Sequence, residues 1–311
     1  MSSLKDKRCV VTGGAGFIGS HLVDGLLEAG AQVVVLDNFA TGHRKNLDHC
    51  ADRIDLIEGD IRDLETCQKA CEGAAVVFHQ AALGSVPRSV KAPATSLGVN
   101  VGGTANVFTA ARDAGIGRVV YASSSSVYGS NEELPKREGR EGAPLSPYAV
   151  SKWVTEELAD TYARVYGIDF VGLRYFNVYG PRQDPNGPYA AVIPKFFAAC
   201  AEDKAPVIYG DGQQSRDFTF VADVVRANML AATAPIEGAI ALNIGAGSTT
   251  TVTALAEMII ELMGKPLKPE YGEPRPGDVR FSRADFSRAK GALGWEATVQ
   301  VRDGLSRTKP S

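Results

Sequence analysis

Short apolar runs, mostly β-branched, recur along the chain, and helical periodicity follows each one. RCVVTG reads as a strand. FIGSHLVDGLLEAG reads as a helix, with Leu22, Leu26 and Leu27 on one face and Gly30 as its stop. QVVVLD, RIDLIEGD and AAVVFHQA read as the second, third and fourth strands. NVGGTANVFTAARDAG has a helical pattern and GRVVYASSSS a strand pattern. PYAVSKWVTEELADTYARVYG predicts a long helix, and DFVGLRYFN a further strand. Apolar strands that alternate with helices predict a parallel sheet covered on both faces.

The pattern changes after Asn177. NVYGPRQDPNGPY is loop-like, rich in Pro, Gly and Asn. RDFTFVADVVRANMLAA, from Arg216 to Ala232, returns to a strand and then a helix. NIGAGSTTTVTALAEMIIELMG holds a loop and a helix, and neither an internal repeat nor a low-complexity linker is visible. The pattern predicts an α/β fold in two parts. The sheet domain takes residues 1–175 and roughly 216–244; a smaller C-terminal α/β lobe, 176–215 and 245–311, binds substrate.

Composition narrows the function classes. The chain has 311 residues, 44% hydrophobic and 22% charged, which suits a globular protein of one large domain or two lobes. A net charge of −3 and a pI of about 5.9 leave no basic footprint for nucleic acid. No apolar run approaches the roughly 18 residues that span a membrane, and the N-terminus, MSSLKDKR, lacks a signal pattern. Five scattered cysteines, Cys9, Cys50, Cys67, Cys71 and Cys200, indicate a reducing, cytoplasmic setting. Cys67 and Cys71 can share a helix face, but no second pair completes a metal site, and the four histidines show no ligand spacing. No metal is expected.

The first strand runs into TGGAGFIGS, where Gly13, Gly16 and Gly19 are spaced G-x-x-G-x-x-G. The first glycine permits a tight turn, the second lets backbone approach a pyrophosphate, and the third lets helix pack on strand. The anion then sits at a helix N-terminus. A lone glycine pattern is weak, but this one follows a strand, precedes a helix, and is joined by Asp37 at the end of the second strand. An acid there accepts from the adenosine ribose hydroxyls and repels a 2′-phosphate, which favours NAD over NADP. Arg44 counts against that preference, because it lies close enough in sequence to meet a phosphate. Together these features give the sheet a Rossmann-type, doubly wound character. Asp60, in EGDIRD, either meets the adenine or is an ordinary strand-end turn residue.

PLSPYAVSK sets Tyr148 and Lys152 one helical turn apart, on one face. Alone, that spacing fits a core-edge tyrosine beside a solvated lysine as well as an acid–base pair. Combined with the glycine turn, Asp37, HQAA at the fourth strand, YASSSSVYG and RYFNVYGPRQDPNG, it resembles the extended short-chain dehydrogenase/reductase family over nearly the whole chain. The closest pattern is that of the NAD-dependent UDP-hexose 4-epimerases, particularly those acting on N-acetylated sugars. The final GLSRTKPS departs from it, lacking the aromatic-ended last helix.

The resemblance implies residue roles. Tyr148 would take the proton from the sugar 4-hydroxyl, helped by the positive charge of Lys152 and of oxidised nicotinamide, since a free phenol titrates near pH 10. Lys152 would also hold the nicotinamide ribose, and Ser124 would share the sugar oxygen. Hydride would pass from C4 to NAD, giving a 4-keto sugar that swings and takes it back on the other face. Phe17, Ile18, Asn38, Asp60, Ile61, Gln80, Ala81, Ala82 and Asn100 match cofactor-contacting positions. Gly84 and Ser85 would line the hexose with Arg88 beside it; read plainly, the same loop is a helix cap. Asn177, Arg216 and Arg275 match residues that clamp the diphosphate, and forked guanidinium donors suit paired phosphates. Asp278 matches an acid near the uridine ribose. Ser125 and Ser126 stand where 4,6-dehydratases of the family carry Asp-Glu, so water elimination, a general acid/base task, is disfavoured. Ser282 aligns with a wall position where glucose/galactose-only members place a tyrosine; a small residue leaves room for an acetamido group. If the register slips by one, Phe281 is the wall instead. A UDP-glucuronate 4-epimerase, a uronate decarboxylase and a non-catalytic NAD-binding scaffold are the rival readings. A homodimer, paired through the two long helix patterns, is the expected assembly.

Overall fold

A computed structural model describes residues 4–186, 190–274 and 280–310. Seven strands build the main sheet: β1 Arg8–Thr12, β2 Gln32–Asp37, β3 Ile54–Glu58, β4 Val76–His79, β5 Arg118–Ser124, β6 Asp169–Tyr175 and β11 Ala239–Ile244. They lie in the order β11-β6-β5-β4-β1-β2-β3, and every pairing is parallel. The central strands are buried along nearly all their length because helices cover both faces. β3 differs from the apolar reading. Its IDLIE is largely exposed because it forms the sheet edge, where charged side chains discourage further pairing.

Helices α1 Phe17–Glu28, α8 Val221–Thr233 and α10 Ser287–Leu293 cover one face. There Leu22, Leu26, Val224, Ala227 and the fully buried Trp295 share one apolar cluster. Helices α2 Leu64–Cys71, α5 Thr104–Asp113 and α6 Pro147–Tyr166 cover the other, around Phe108, Tyr121 and Phe170. Two short helices, α3 Val86–Lys91 and α4 Pro93–Leu97, lead into a π-helical turn, Gly98–Gly103, that runs straight into α5.

The second lobe is built on short ladders: β7 Val178–Tyr179 with β10 Thr219–Phe220, β9 Ser215–Arg216 with β12 Thr250–Thr251, and β8 Val207–Tyr209 with β13 Glu270–Gly272. Helices α7 Val192–Ala201 and α9 Val252–Met263 pack around Phe196, Phe197, Leu255 and Ile259. The last segment does form a helix, α11 Val301–Thr308, although it lacks an aromatic end. Leu305 anchors it in the lobe core, and Tyr179 Oη donates to Val301 O at 3.1 Å.

Two buried polar clamps fasten these parts. Arg174 on β6 grips Glu156 of α6 with two bonds, 2.9 and 2.7 Å, and also holds Glu141 and the Tyr128 hydroxyl. Tyr128 passes the contact to Asn243 on β11 at 2.6 Å. Asp223, 1% exposed at the start of α8, accepts from Thr298 N, Thr298 Oγ1 and Val299 N. Replacing one partner of such a site strands the others out of water. Asp223→Ala is therefore expected to cost about 3–5 kcal/mol. Amide exchange should show residues 296–308 losing protection before the sheet does; uniform loss would count against a local clamp.

Candidate active site

The site begins with the turn after β1. Gly13 has φ +72, and a Cβ there would lie 2.7 Å from Ala81 Cα. A Cβ on Gly19 would lie 2.1 Å from Gly13 O. The turn therefore needs glycine, and it brings the ends of β1 and β4 into contact. Gly16 precedes α1, and no side chain caps that helix. Its free N–H groups suit an anion. Phe17 and Ile18, in the first turn of α1, pack against the lobe core.

Asp37 is 8% exposed. Its oxygens accept from Ala15 N at 2.9 Å and Phe39 N at 2.8 Å, which fixes the glycine turn to the end of β2. Burial pushes its carboxyl up, and the two N–H bonds pull it back. Asp60 is held at a strand-end turn by Arg62, at 3.0 and 2.8 Å, and by Asn38 at 2.8 Å. The Arg62 side chain above all lowers its carboxyl to about 2. Ile61 is buried under Gly103. Gln80 joins Tyr175 and Asn228, at 3.0 Å each, in a part-buried triangle at the end of β4. These surroundings fit a dinucleotide: an uncapped helix start, a turn without Cβ atoms, and an acid at the end of β2. Gly13, Gly16, Gly19 and Asp37 would hold it.

A string of bonds missed in the sequence runs beneath this edge. Thr104 Oγ1 donates to Asn100 O at 2.5 Å. It must then accept from His79 Nε2, 2.9 Å away. His79 is therefore the Nε2–H tautomer, and its Nδ1 accepts from Thr12 Oγ1 at 2.7 Å. Thr12 in turn accepts from Ala81 N at 3.3 Å. Burial, reinforced by the nearby Lys152 charge, drives the His79 pKa down to about 3, so the ring stays neutral. Asn100 continues the string: its side chain holds both Leu83 N and Leu83 O, and donates to Ser151 Oγ at 3.1 Å. It is a loop clamp within the π-helical turn. The one signal in the sequence was a histidine and two threonines at the ends of otherwise apolar elements.

Tyr148 sits in the first turn of α6 because Ser146 caps the helix, accepting from Ala149 N at 3.1 Å, and Pro147 starts it. Tyr148 faces Ser124 at the end of β5. Burial raises the phenol, and the neighbouring Ser124 side chain opposes that rise. Lys152, one turn on, is 6% exposed and donates to Ala122 O at 2.7 Å. Its Nζ lies 6.0 Å from the Tyr148 ring centroid. Burial lowers the Lys152 ammonium to about 8, with Glu156 opposing. Ser124, Tyr148 and Lys152 therefore converge at one end of β5. Ser125 and Ser126 form the 3-10 turn that follows, and Ser124 Oγ accepts from Ser126 N.

Beside them Ser85 caps α3, accepting from Arg88 N at 3.2 Å, with a left-handed φ of 142. The loop is thus a helix cap, and Gly84 next to it has open space where a Cβ would be. Asn177 follows β6, the strand that pairs with β5. With Arg216 it lines a cavity of about 270 Å³ whose walls include Phe196, Tyr209, Gln214 and Phe218. Ser282 N donates to Ser215 O at 3.2 Å, which lays Ser282 along the Arg216 strand. Ser282 is part-buried, whereas Phe281 is 44% exposed beneath the Arg280 guanidinium. Arg275 and Asp278 lie outside the described residues. Away from the site, the five cysteines are free and buried, and no described helix is long and apolar enough to cross a membrane.

A doubly wound parallel sheet whose first turn offers bare backbone to an anion, with a Ser–Tyr–Lys cluster two strands away, defines a nicotinamide-dinucleotide enzyme. The model of the NAD dependent epimerase/dehydratase family matches residues 9–245. The UDP-glucose 4-epimerase of Mycolicibacterium smegmatis is 41% identical over 306 residues, 97% of each chain. A UDP-N-acetylglucosamine 4-epimerase from Methanobrevibacter ruminantium, solved with UDP-N-acetylmuramic acid, superposes with a TM-score of 0.93. It is 40% identical, covering 98% of this chain and 97% of that one. The Thermus thermophilus UDP-glucose 4-epimerase, solved with NAD, gives 0.87 at 37% identity over 97% of both chains. The chain belongs to the NAD-dependent epimerase/dehydratase family and is an NAD-dependent enzyme.

Lys152 gives a test that needs no substrate. Its folded pKa is below its unfolded value, so burying the charge costs the NAD-free fold most below pH 8. That cost fades as pH rises from about 8 toward the unfolded value. Lys152→Met should stabilise the NAD-free protein by about 1–2 kcal/mol at pH 7, after allowing for the orphaned Ala122 carbonyl. Urea titrations at pH 7 and 9.5 should show the gain shrinking; a pH-independent difference would contradict the assignment.

Proposed function

We propose that the enzyme is a UDP-sugar 4-epimerase that interconverts UDP-GlcNAc and UDP-GalNAc, with UDP-Glc and UDP-Gal as further substrates. The observation that carries this reading is Tyr148 beside Ser124, one helical turn from the buried Lys152, whose Nζ lies 6.0 Å from the Tyr148 ring centroid. The chemistry that NAD supplies when bound is reversible hydride acceptance at the sugar C4. Tyr148 removes the 4-hydroxyl proton and later returns one. Ser124 holds the same oxygen and shortens the proton's path. Lys152 is mostly protonated at neutral pH, and its charge favours the phenolate that burial alone opposes. Asn177 and Arg216 take the diphosphate in the cavity they line, with Arg275 and Asp278 assigned to the same nucleotide. Gly84, Ser85 and Ser125 border the hexose. Asn38, Asp60, Ile61, Gln80, Ala81, Ala82 and Asn100 contact or position the cofactor.

Support for the acetylated sugar comes from Ser282. It is small and part-buried next to the Arg216 strand, while the bulky neighbour Phe281 turns outward. A homodimer through α5 and α6 is also proposed, supported by Trp153, Val165 and Tyr166 exposed along α6.

Tyr148→Phe should keep NAD bound and lose about 10²–10⁴ in turnover. Near-normal activity would exclude Tyr148 as the base, and absence of wild-type turnover on every UDP-hexose would favour the scaffold. Ser282→Tyr should lower kcat/KM for UDP-GlcNAc by about 10–200-fold while leaving UDP-Glc within a few fold. Equal losses on both sugars, or no wild-type turnover of UDP-GlcNAc, would remove the specificity assignment.

A further inference from the structure

The adenosine end of the cofactor site carries a second acid. Asp37 and Glu58 are register partners, side by side at the ends of β2 and β3. Arg44, the basic residue that follows in the next loop, pairs with Glu58 through Nη2 and Oε2, and its guanidinium lies 4.1 Å over the Phe39 ring. The backbone under Arg44 is fixed. His43 N donates to Ala15 O at 3.0 Å, and Asn46 Nδ2 donates to the same oxygen at 2.9 Å. Ala15 N is bound to Asp37, and so is Phe39 N. Arg44 is therefore anchored beside the edge where Asp37 would meet the ribose, and only its side chain is free to choose a partner.

We propose that Glu58 is a specificity-determining residue for the cofactor: it occupies Arg44 and adds a second negative charge beside Asp37, so a 2′-phosphate is refused. Asp37 alone repels one phosphate but leaves an anchored arginine within the same edge to attract it. Pairing that arginine with an acid in the adjacent strand removes the attraction. Both side chains of the pair are more than half exposed, so the pair itself adds little to stability. Its effect lies in the local field. Replacing Glu58 by glutamine removes one repulsive charge and frees one forked donor that suits phosphate. The inference concerns the dinucleotide and holds whichever sugar is turned over.

The test is a loading competition. Purified full-length protein is stripped of nucleotide on charcoal and reloaded from an equimolar mixture of NAD and NADP. The retained nucleotides are then separated after denaturation. The wild type should retain NAD almost exclusively. Glu58→Gln should raise the retained NADP:NAD ratio about tenfold, the combined size of one exposed charge contact removed and one gained. The double variant Glu58→Gln/Arg44→Ala should fall back toward the wild type. A ratio in Glu58→Gln within twofold of wild type would overturn the proposal, as would a double variant that matches Glu58→Gln. The chromatographic readout is independent of catalysis, so failure of the epimerase reading would leave it intact.

Discussion

His79 joins Thr12 to Thr104 with a neutral ring, its Nδ1 accepting from Thr12 and its Nε2–H donating to Thr104. A second ring proton would leave the Thr12 hydroxyl proton without its acceptor. Burial enforces the neutral state, and the adjacent Lys152 charge reinforces it. That one constraint orients the ends of β1 and β4, whose backbones also touch at Gly13 and Ala81. Through Asn100 it reaches the Leu83 loop and, through Ser151, the helix that carries Tyr148. The glycine turn, the Leu83 loop and the helix that carries Tyr148 are therefore linked by one string of hydrogen bonds.

The sheet was legible in the sequence for a physical reason, whereas Ser124 joined Tyr148 and Lys152 only through the resemblance to the short-chain dehydrogenase/reductase family. Buried parallel strands must be apolar along their length, and a helix repeats every 3.6 residues, so both print their period locally. Tyr148 and Lys152 are separated by one turn of a single helix, a spacing that alone leaves their roles open. The remaining contacts are not periodic. Arg174 meets Glu156 only because β6 lies under α6, and Asp223 meets Thr298 across 75 residues. Asn100 sits in a π-helical turn, and its clamp on Leu83 depends on a loop geometry that no spacing encodes. Two isoleucines and a leucine make β3 look apolar, but its place at the edge, which exposes Leu56 and its charged neighbours, is a property of sheet order.

The carboxylates show how one residue type takes different work from its surroundings. Asp37 and Asp217 are both buried and both collect backbone N–H groups. Asp217 receives three, from Ala246, Gly247 and Ala284, and so draws the loop after β11 to the segment that carries Ser282. Burial still pushes its carboxyl up to about 6 against those bonds. Asp60, in contact with water and with Arg62, moves the other way. A carboxylate at the end of a strand was therefore readable as a position, while its state came from the solvent and cations that only the folded chain supplies.

β6 and β11 are immediate neighbours in the sheet, yet residues 176–238 lie between them in the chain. The polypeptide leaves the sheet at one strand and comes back one strand over. Only the first part of that excursion, residues 176–215, lies away from the sheet; its last part carries α8, which packs Val224 and Ala227 on the sheet face. Residues 176–215 can therefore change in length or sequence at less cost to the strand order than residues 216–238, whose helix is itself part of the cover over the sheet.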